Sequence, residues 1–536
     1  MTRPRSPARR GLLVAVGIVL AVGAASLGVN RASDSSPAAT GDVYAQIDAY
    51  VADEIHDSRI PGGVVAVAEN GKTVHANGFG TDGRGNPVTA DTPFWIGSNT
   101  KSITALAVMQ LVEDGVLDLD APVQQYLPDF RVADPGASAT ITLRHLLNQT
   151  SGISRIDGIR AVARGGAGSM QDTVADMREL QLDRPVGQSF EYANLNSVVL
   201  GAVIEQVTGQ SWQQYVDSHV FEPLGMDRTF TDQATADAAG LTRTYRSFFG
   251  FPLETRARHL DGLAASGYVY STASDMSRYL AMYLDGGSLE GRRVVSKASV
   301  DEMLTPATGP RTFPLQSQQF TASYGAGWFV GSFGGVDSAR WHQGSLPHFT
   351  AWMVLLPESG QGVVLMLNEG NQFEVAGANA TWSRIPQGVV SLLSGNEAAS
   401  GGGSTSFFIV VLTLLIAVAT AQLWHLVALV RRGIPPAMST ARAAVPLIWE
   451  LGLGAAMLLL YRATIGGLGW SATFAFLPDL TLAVVVLGGL ALAGGAVRIA
   501  LLTSRRTPQG HPESGDSHRP GAPAPPPDQP RLRIPT

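Results

Sequence analysis

The chain has 536 residues, 45% of them hydrophobic, which is enough for a sizeable core and for more than one domain. Its formal charge of −6 lacks the basic surplus of a nucleic-acid binder, so no nucleic-acid partner is expected. With no cysteine, disulfides, thiolate catalysis and cysteine-based metal sites are excluded.

At the N-terminus Arg3, Arg5, Arg9 and Arg10 precede an uncharged apolar run from Gly11 to Val29. A basic segment followed by an apolar one predicts a signal peptide or signal anchor over residues 1–31, with export of the adjoining domain. A polar linker, residues 32–41, leads into residues 42–395, where neither an internal repeat nor a long Gly/Pro/Ser break divides the chain. Apolar residues at Val43, Ile47, Val51 and Ile55 predict a helix over Val43 to Ile60. Gly63 to Asn70 and Thr73 to Gly78 read as strands joined by a turn at Asn70-Gly71. Thr104 to Gly115 is a nearly all-apolar helix stopped by glycine, and therefore buried. Helical segments follow at Leu143 to Asn148 and Leu195 to Thr208. Strand-like runs return at Tyr324 to Val330, Phe349 to Leu356 and Gly362 to Asn368. Strands early and late with helices between predict an α+β fold, an antiparallel sheet closed by both ends of the domain and flanked by helices.

A Gly/Ser linker, residues 396–406, separates this domain from three apolar segments within 407–502, at Phe407 to Val430, Val445 to Tyr461 and Leu480 to Leu502. Their length and composition predict a helical transmembrane region. Arg431, Arg432 and Arg442 fall in one loop, and Arg505 and Arg506 come after the last span. The positive-inside rule puts these arginines in the cytoplasm, so the expected topology is multi-pass in the cell membrane with an extracytoplasmic domain. Residues 503–536, rich in Pro, Gly and charge, read as a disordered cytoplasmic tail. Glu450 and Arg498 lie within the apolar spans near their expected cytoplasmic ends, where they can snorkel or serve a relay.

Of the 38 basic residues only Lys72, Lys101 and Lys297 are lysines. Arginine keeps its proton near neutral pH, whereas a desolvated lysine can lose it and act as a base. Only Lys101 has a serine three residues before it, Ser98, at the start of the apolar helix. At that spacing the two side chains share a helix face, so a neutral Lys101 could activate Ser98 for attack on a carbonyl. Ser-x-x-Lys alone is a loose pattern and by itself fits a capping serine with a solvated lysine better. The flanking Phe94-Trp95-Ile96 and Ile103 to Val112 bring Lys101 into apolar surroundings.

The run Phe94 to Lys101 closely resembles the active-site segment of the penicillin-recognising serine hydrolases, nearest the class C β-lactamase, DD-peptidase and esterase group. Further landmarks keep that family's order: Gly115 to Pro122, Tyr126-Leu127-Pro128, Ile141 to Leu147, Thr150-Ser151-Gly152, Phe221 to Met226 and Ser266 to Thr272. The resemblance spans Asp42 to Leu393. It implies a β-lactamase/transpeptidase-like fold with a helical subdomain and no cofactor or metal. It makes Tyr192-Ala193-Asn194 the second catalytic element. Tyr192, held partly as phenolate beside an ammonium, would move protons between Ser98, Lys101 and the leaving group. Asn194 would orient Lys101 and bind a substrate carbonyl. The third element is His342-Gln343-Gly344, on an edge strand beside the site. Gly344 would let the substrate backbone approach, and Ser345 N–H would complete an oxyanion hole with that of Ser98. Histidine replaces the lysine of the Lys-Thr-Gly found in many β-lactamases. A neutral His342 binds a carboxylate less strongly, and that pattern occurs in family members acting as DD-peptidases, aminopeptidases and esterases. His342 and His348 fit no common metal-ligand spacing, and His145 reads as a structural histidine.

Two functions are consistent with these residues and the resemblance. One is a membrane-anchored serine hydrolase that acts on a D-Ala peptide of peptidoglycan type, a β-lactam or a small ester through a Ser98 acyl-enzyme. The other is a penicillin-binding sensor or cell-wall binding protein that is acylated with little turnover. Sequence leaves the substrate, the oligomeric state and the fate of the first span open.

Overall fold

The computed structural model describes residues 42–166, 168–312, 321–370, 381–399, 404–434, 439–464, 474 and 478–504. The signal segment expected at 1–31, the linker at 32–41 and the expected tail from residue 505 onward lie outside the described residues.

Alternate residues of strand β1 (Gly62–Glu69) enter two different cores. Val64 and Ala66 face a large cluster shared with the helical part of the domain, while Val65 faces a smaller one on the opposite side of the sheet. The period of two that separates the faces of a strand makes a near-continuous apolar run the right sequence for a sheet covered on both sides. β1 lies between β2 (Lys72–Gly80) and β12 (Gln361–Leu367), antiparallel to both, with Val65 opposite Asn77 on one side and Leu365 on the other.

The sheet continues through β11 (Phe349–Leu356), β10 (Val336–Leu346), β9 (Phe329–Phe333), β8 (Thr321–Tyr324) and β7 (Arg311–Thr312), in the order β2-β1-β12-β11-β10-β9-β8-β7. The domain ends therefore meet at the β1–β12 pair, as expected from strands early and late in the chain. The segment read as one strand, Tyr324 to Val330, is instead a hairpin. Gly325 N–H bonds to Trp328 O at 2.8 Å, and Tyr324 pairs with Phe329 across the turn. His342 to Ser345 belong to β10, an interior strand by order, but its pairing with β9 ends at Trp341, so over these residues it pairs with β11 alone and is locally an edge.

One face is covered by α1 (Val43–Asp57) and α7 (Thr381–Leu393), which supply Ile47, Val51, Ile55, Ile385 and Val389 to the smaller core. Glu54 and Arg384 form a buried ion pair between these helices, with Arg384 Nε donating to Glu54 Oε1 at 3.2 Å. The other face receives α2 (Thr100–Glu113), α6 (Ala273–Leu284) and the helical subdomain, which includes α3 (Leu143–Leu147), α4 (Arg155–Ala163) and α5 (Asn194–Thr208). α2 is buried continuously from Thr100 to Met109, so its lack of a polar stripe suits a central helix.

Three helices lie beyond the domain: α8 (Ser404–Arg432), α9 (Thr440–Thr464) and α10 (Pro478–Ser504). Among the described residues two helices are long and apolar enough to cross a membrane, Val410–Arg432 and Pro478–Ser504. The expected middle span contains the shorter apolar stretch Val445–Leu459. Glu450 and Arg498 do not point apart to snorkel. Arg498 Nε donates to Glu450 Oε2 at 2.9 Å, tying α9 to α10, and His425 Nε2 of α8 is 3.1 Å from Glu450 Oε1.

Candidate active site

Ser98 sits in a single turn, Gly97–Asn99, between strand β3 (Phe94–Trp95) and α2. β3 pairs with β6 (Tyr270–Ser271), which fixes the approach to the turn. Gly97 has φ +54°, and a Cβ there would meet Gly344 Cα and the Phe349 ring at 2.9 Å. At Gly344 an added Cβ would lie 1.8 Å from Ile96 O. The two glycines are thus a backbone-to-backbone contact between the nucleophile turn and β10. On its Cβ side Gly344 is packed against the nucleophile turn. Ser345 comes next along the strand and is paired in register with Thr350.

Lys101 is 2% exposed, and its amine has three oxygen neighbours. Nζ is 2.9 Å from Ser98 Oγ, 2.8 Å from Asn194 Oδ1 and 2.6 Å from the carbonyl oxygen of Ser266. Burial lowers the Lys101 pKa well below the ordinary lysine range, which favours loss of its proton. A neutral amine has two N–H groups and one lone pair. Asn194 Oδ1 and Ser266 O can only accept and take both protons, which leaves the lone pair for the Ser98 hydroxyl. Each partner is held by its own element. Ser266 lies in a short helix, Ala264–Gly267, anchored to α2 where Thr104 Oγ1 donates to Ala265 O at 2.8 Å. Asn194 opens α5, whose start is fixed by Gln149: its Oε1 accepts from Ala193 N at 2.8 Å and from Asn196 Nδ2 at 2.7 Å.

The Tyr192 ring lies 5.0 Å from Lys101 Nζ, and its hydroxyl is hydrogen-bonded with Ser98. Burial pushes the phenol up, against smaller opposing effects of the Ser98 hydrogen bond and the Arg155 charge. Tyr192 is therefore a neutral phenol. The phenolate expected from sequence is opposed by burial of the phenol, which raises its pKa.

His342 is fully buried. Its Nδ1–H donates to Gln343 O at 2.8 Å, and its Nε2 is 3.2 Å from the Tyr324 hydroxyl, which can donate to it. Burial pushes its pKa down to about 3, and the Lys101 charge adds to this when that amine is protonated. Both ring nitrogens are thus engaged within the protein, and the imidazole carries no charge to offer a substrate. Its link to the site runs through aromatic packing, with Tyr324 at 6.3 Å from Tyr192 between ring centroids.

A family model described as Beta-lactamase matches residues 47–384, more than half of the chain. The chain belongs to the Beta-lactamase family. Within it, the chain is 27% identical over 337 residues to Protein flp of Staphylococcus aureus (strain MW2), covering 62% of this chain and 65% of that protein. It is 32% identical over 323 residues to Penicillin-binding protein 4 of Amycolatopsis lactamdurans, covering 59% of this chain and 82% of that protein. The chain therefore spans less than two thirds of the length of the flp relative. Among solved structures, the octameric penicillin-binding protein homologue from Pyrococcus abyssi superimposes with a TM-score of 0.57 at 26% identity, covering 68% of this chain and 80% of that one.

In this Beta-lactamase-family domain the fold unites Ser98, Lys101, Tyr192 and Asn194 in one cluster, with the His342 ring centroid 6.1 Å from that of Tyr192 and Gly344 against the nucleophile turn. His145 caps the start of α3, where Thr142 N–H donates to its Nδ1 at 3.2 Å. His348 Nδ1 is 2.8 Å from Thr255 Oγ1, so the two histidines His342 and His348 engage different partners. Three participants escape the sequence reading. Ser266 opens the landmark Ser266 to Thr272, but its carbonyl has no signature as a backbone oxygen, and Tyr324 opens a segment read as a strand. Arg155 is exposed at the start of α4, and its charge reaches the Tyr192 phenol. α4 lies directly on the site, since an added Cβ at Gly158 would be 3.2 Å from Asn194.

Proposed function

We propose that the domain is a serine hydrolase, anchored in the membrane by its apolar helices with the catalytic domain outside the cytoplasm. The observation that carries the reading is the buried Lys101 Nζ, 2.9 Å from Ser98 Oγ and with its pKa lowered by burial. Ser98 Oγ attacks the carbonyl carbon of an ester or amide and passes its proton to Lys101 Nζ. Breakdown of the tetrahedral species expels the leaving group, which takes a proton from the lysine ammonium by way of the Tyr192 hydroxyl. Water then attacks the acyl-enzyme, with Lys101 and Tyr192 returning the proton to Ser98. The backbone N–H groups of Ser98 and Ser345 are the proposed oxyanion donors. No step needs a cofactor.

The substrate class is argued from charge. His342 is neutral, whereas Arg155 brings a guanidinium to the mouth of the site, suited to a substrate carboxylate. D-Ala peptides and β-lactams carry one beside the scissile bond. The test is a substrate panel of D-Ala-D-Ala peptides, cephalosporins and p-nitrophenyl esters with the full chain and Ser98→Ala. Sustained turnover that Ser98→Ala abolishes supports the hydrolase. A stoichiometric burst that stops would instead favour the acylated sensor, and failure of every substrate to acylate Ser98 would overturn both.

A further inference from the structure

An apolar hairpin on the catalytic domain is joined to the first turn of a membrane helix. Strands β4 (Thr244–Phe248) and β5 (Phe251–Thr255) are connected by Phe249 and Gly250, both at positive φ, +49° and +78°. Two such central residues make a tight primed turn, and a bulky phenylalanine is costly at the first of them. The turn is held from outside the domain: Asp479 Oδ2 accepts a hydrogen bond from Phe249 N–H at 2.8 Å. Phe249 is 6% exposed and Asp479 5%, so this is a built contact and not a surface encounter. Asp479 stands in the first turn of α10, with Arg246 of β4 as the cation that acts on it.

Beyond this buried turn the hairpin turns outward. Phe251 is 45% exposed and Leu253 is 54% exposed, with exposed Pro252 between them. The exposed Arg59 places its guanidinium 4.7 Å from the centre of the Phe251 ring. Aromatic and aliphatic side chains beside an arginine are the composition of a membrane–water interface, where the apolar parts enter the acyl boundary and the cation meets phosphate. The depth agrees. α10 has 27 residues, and such a helix is about 40 Å long against roughly 30 Å of hydrocarbon, so its first turn reaches headgroup level.

We propose that the exposed start of β5, Phe251–Leu253, seats in the outer-leaflet lipid surface beside α10, holding the active site at a fixed orientation to the bilayer. This rests on the membrane-anchored reading above. It also narrows the substrate class to molecules met at the bilayer surface. The coupling to the site is short. β4 runs parallel to β13 (Glu369–Gly370), and Tyr245 N–H bonds to Asn368 O at 2.8 Å. It also bonds to His348 O at 3.2 Å, in the turn between β10 and β11. β10 is the strand that carries Gly344 against the nucleophile turn.

Because the chain has no cysteine, single cysteines give unique labelling sites. Phe251→Cys, Leu253→Cys, Val116→Cys and Val485→Cys are each labelled with an environment-sensitive fluorophore in the full chain. The proteins are reconstituted in phosphatidylcholine/phosphatidylglycerol vesicles containing spin-labelled lipids. The probes at 251 and 253 should be quenched by shallow labels at least about twofold more than the exposed Val116 site, with a blue-shifted emission. Asp479→Ala should lower that quenching without altering hydrolysis of a soluble ester. If 251 and 253 behave like 116 while Val485 in α10 is quenched by deep labels, the hairpin proposal fails and the membrane span stands. If Val485 is not quenched either, both fail.

Discussion

The carbonyl oxygen of Ser266 accepts a hydrogen bond from Lys101 Nζ at 2.6 Å, across 165 residues of sequence. With Asn194 it occupies both protons of a neutral amine and so decides which neighbour meets the lone pair. An ammonium would place its three protons on Ser98 Oγ, Asn194 Oδ1 and Ser266 O, but no carboxylate among these partners balances its charge. Burial therefore favours the uncharged lysine.

Lys101→Arg tests that design most directly. The guanidinium keeps its proton at every working pH and cannot accept one from Ser98. The expected result is a loss of kcat/KM of about 10²–10⁴. Ser98→Ala should abolish acyl-enzyme formation, read by mass spectrometry of the intact protein. Retention of most activity in Lys101→Arg would remove lysine from the base role.

The pH profile is set by three shifts. Acylation needs neutral Lys101, whose folded pKa is lowered from 10.5 by burial, so kcat/KM should rise with pH through that lowered value and then level off. His342, at about 3, should give no inflection near the ordinary 6.5, and Tyr192, raised above 10.0, should give no alkaline loss below pH 10. Stability carries a matching sign. Unfolded Lys101 binds its proton more tightly than folded Lys101, so this residue makes stability increase with pH between the lowered value and 10.5. Rate profiles and denaturant titrations across pH measure the two separately.

Tyr324→Phe removes the hydroxyl that faces His342 Nε2 and leaves a buried acceptor unpaired. The expected cost is about 1–3 kcal/mol of folding stability by denaturant titration. Soluble-ester hydrolysis should fall less than in Lys101→Arg, because Tyr324 reaches the site only by packing on Tyr192 and His342.

Much of this is legible from residue pattern, and the parts that are not have physical causes. Phe349 to Leu356 reads as a strand and is one residue for residue, because a short all-apolar run can be buried on both faces. Tyr324 to Val330 misleads because Gly325 and Gly327 are also strand-compatible, and only the pairing of Tyr324 with Phe329 reveals a turn. Ser98, Lys101, Tyr192 and Asn194 can be found by residue type and order. The Ser266 carbonyl cannot, since a backbone oxygen has no sequence signature. His342 stands as a substrate contact by its place in a motif, but burial and Tyr324 are three-dimensional facts. The phenolate expectation errs by taking charge from side-chain type before asking how deeply the phenol is buried.

The ends of the domain offer a stability test. Glu54 and Arg384 are 5% and 6% exposed, and their pair joins α1 to α7 across the sheet closure at β1 and β12. Removing one partner strands a charge, so Glu54→Ala should cost about 3–5 kcal/mol in denaturant unfolding. A double variant, Glu54→Leu with Arg384→Met, leaves no charge stranded and should recover much of that loss. Equal destabilisation in single and double variants would show that the packing, not the pair, matters there.

Arg155 decides between substrate classes. If its guanidinium receives a substrate carboxylate, Arg155→Ala should raise KM for D-Ala-D-Ala peptides and cephalosporins about tenfold, the equivalent of a weakened charge-assisted hydrogen bond of about 1.4 kcal/mol. KM for a neutral p-nitrophenyl ester should hold. The Tyr192 phenol offers a second readout, because the Arg155 charge opposes its upward shift. Loss of that charge makes the phenol still harder to ionise, which leaves it neutral as before, so kcat for the ester should change little. A KM increase shared equally by charged and neutral substrates would mean that Arg155 shapes the cleft without recognising a carboxylate. The specificity would then have to come from Asn194 and the strand at Ser345.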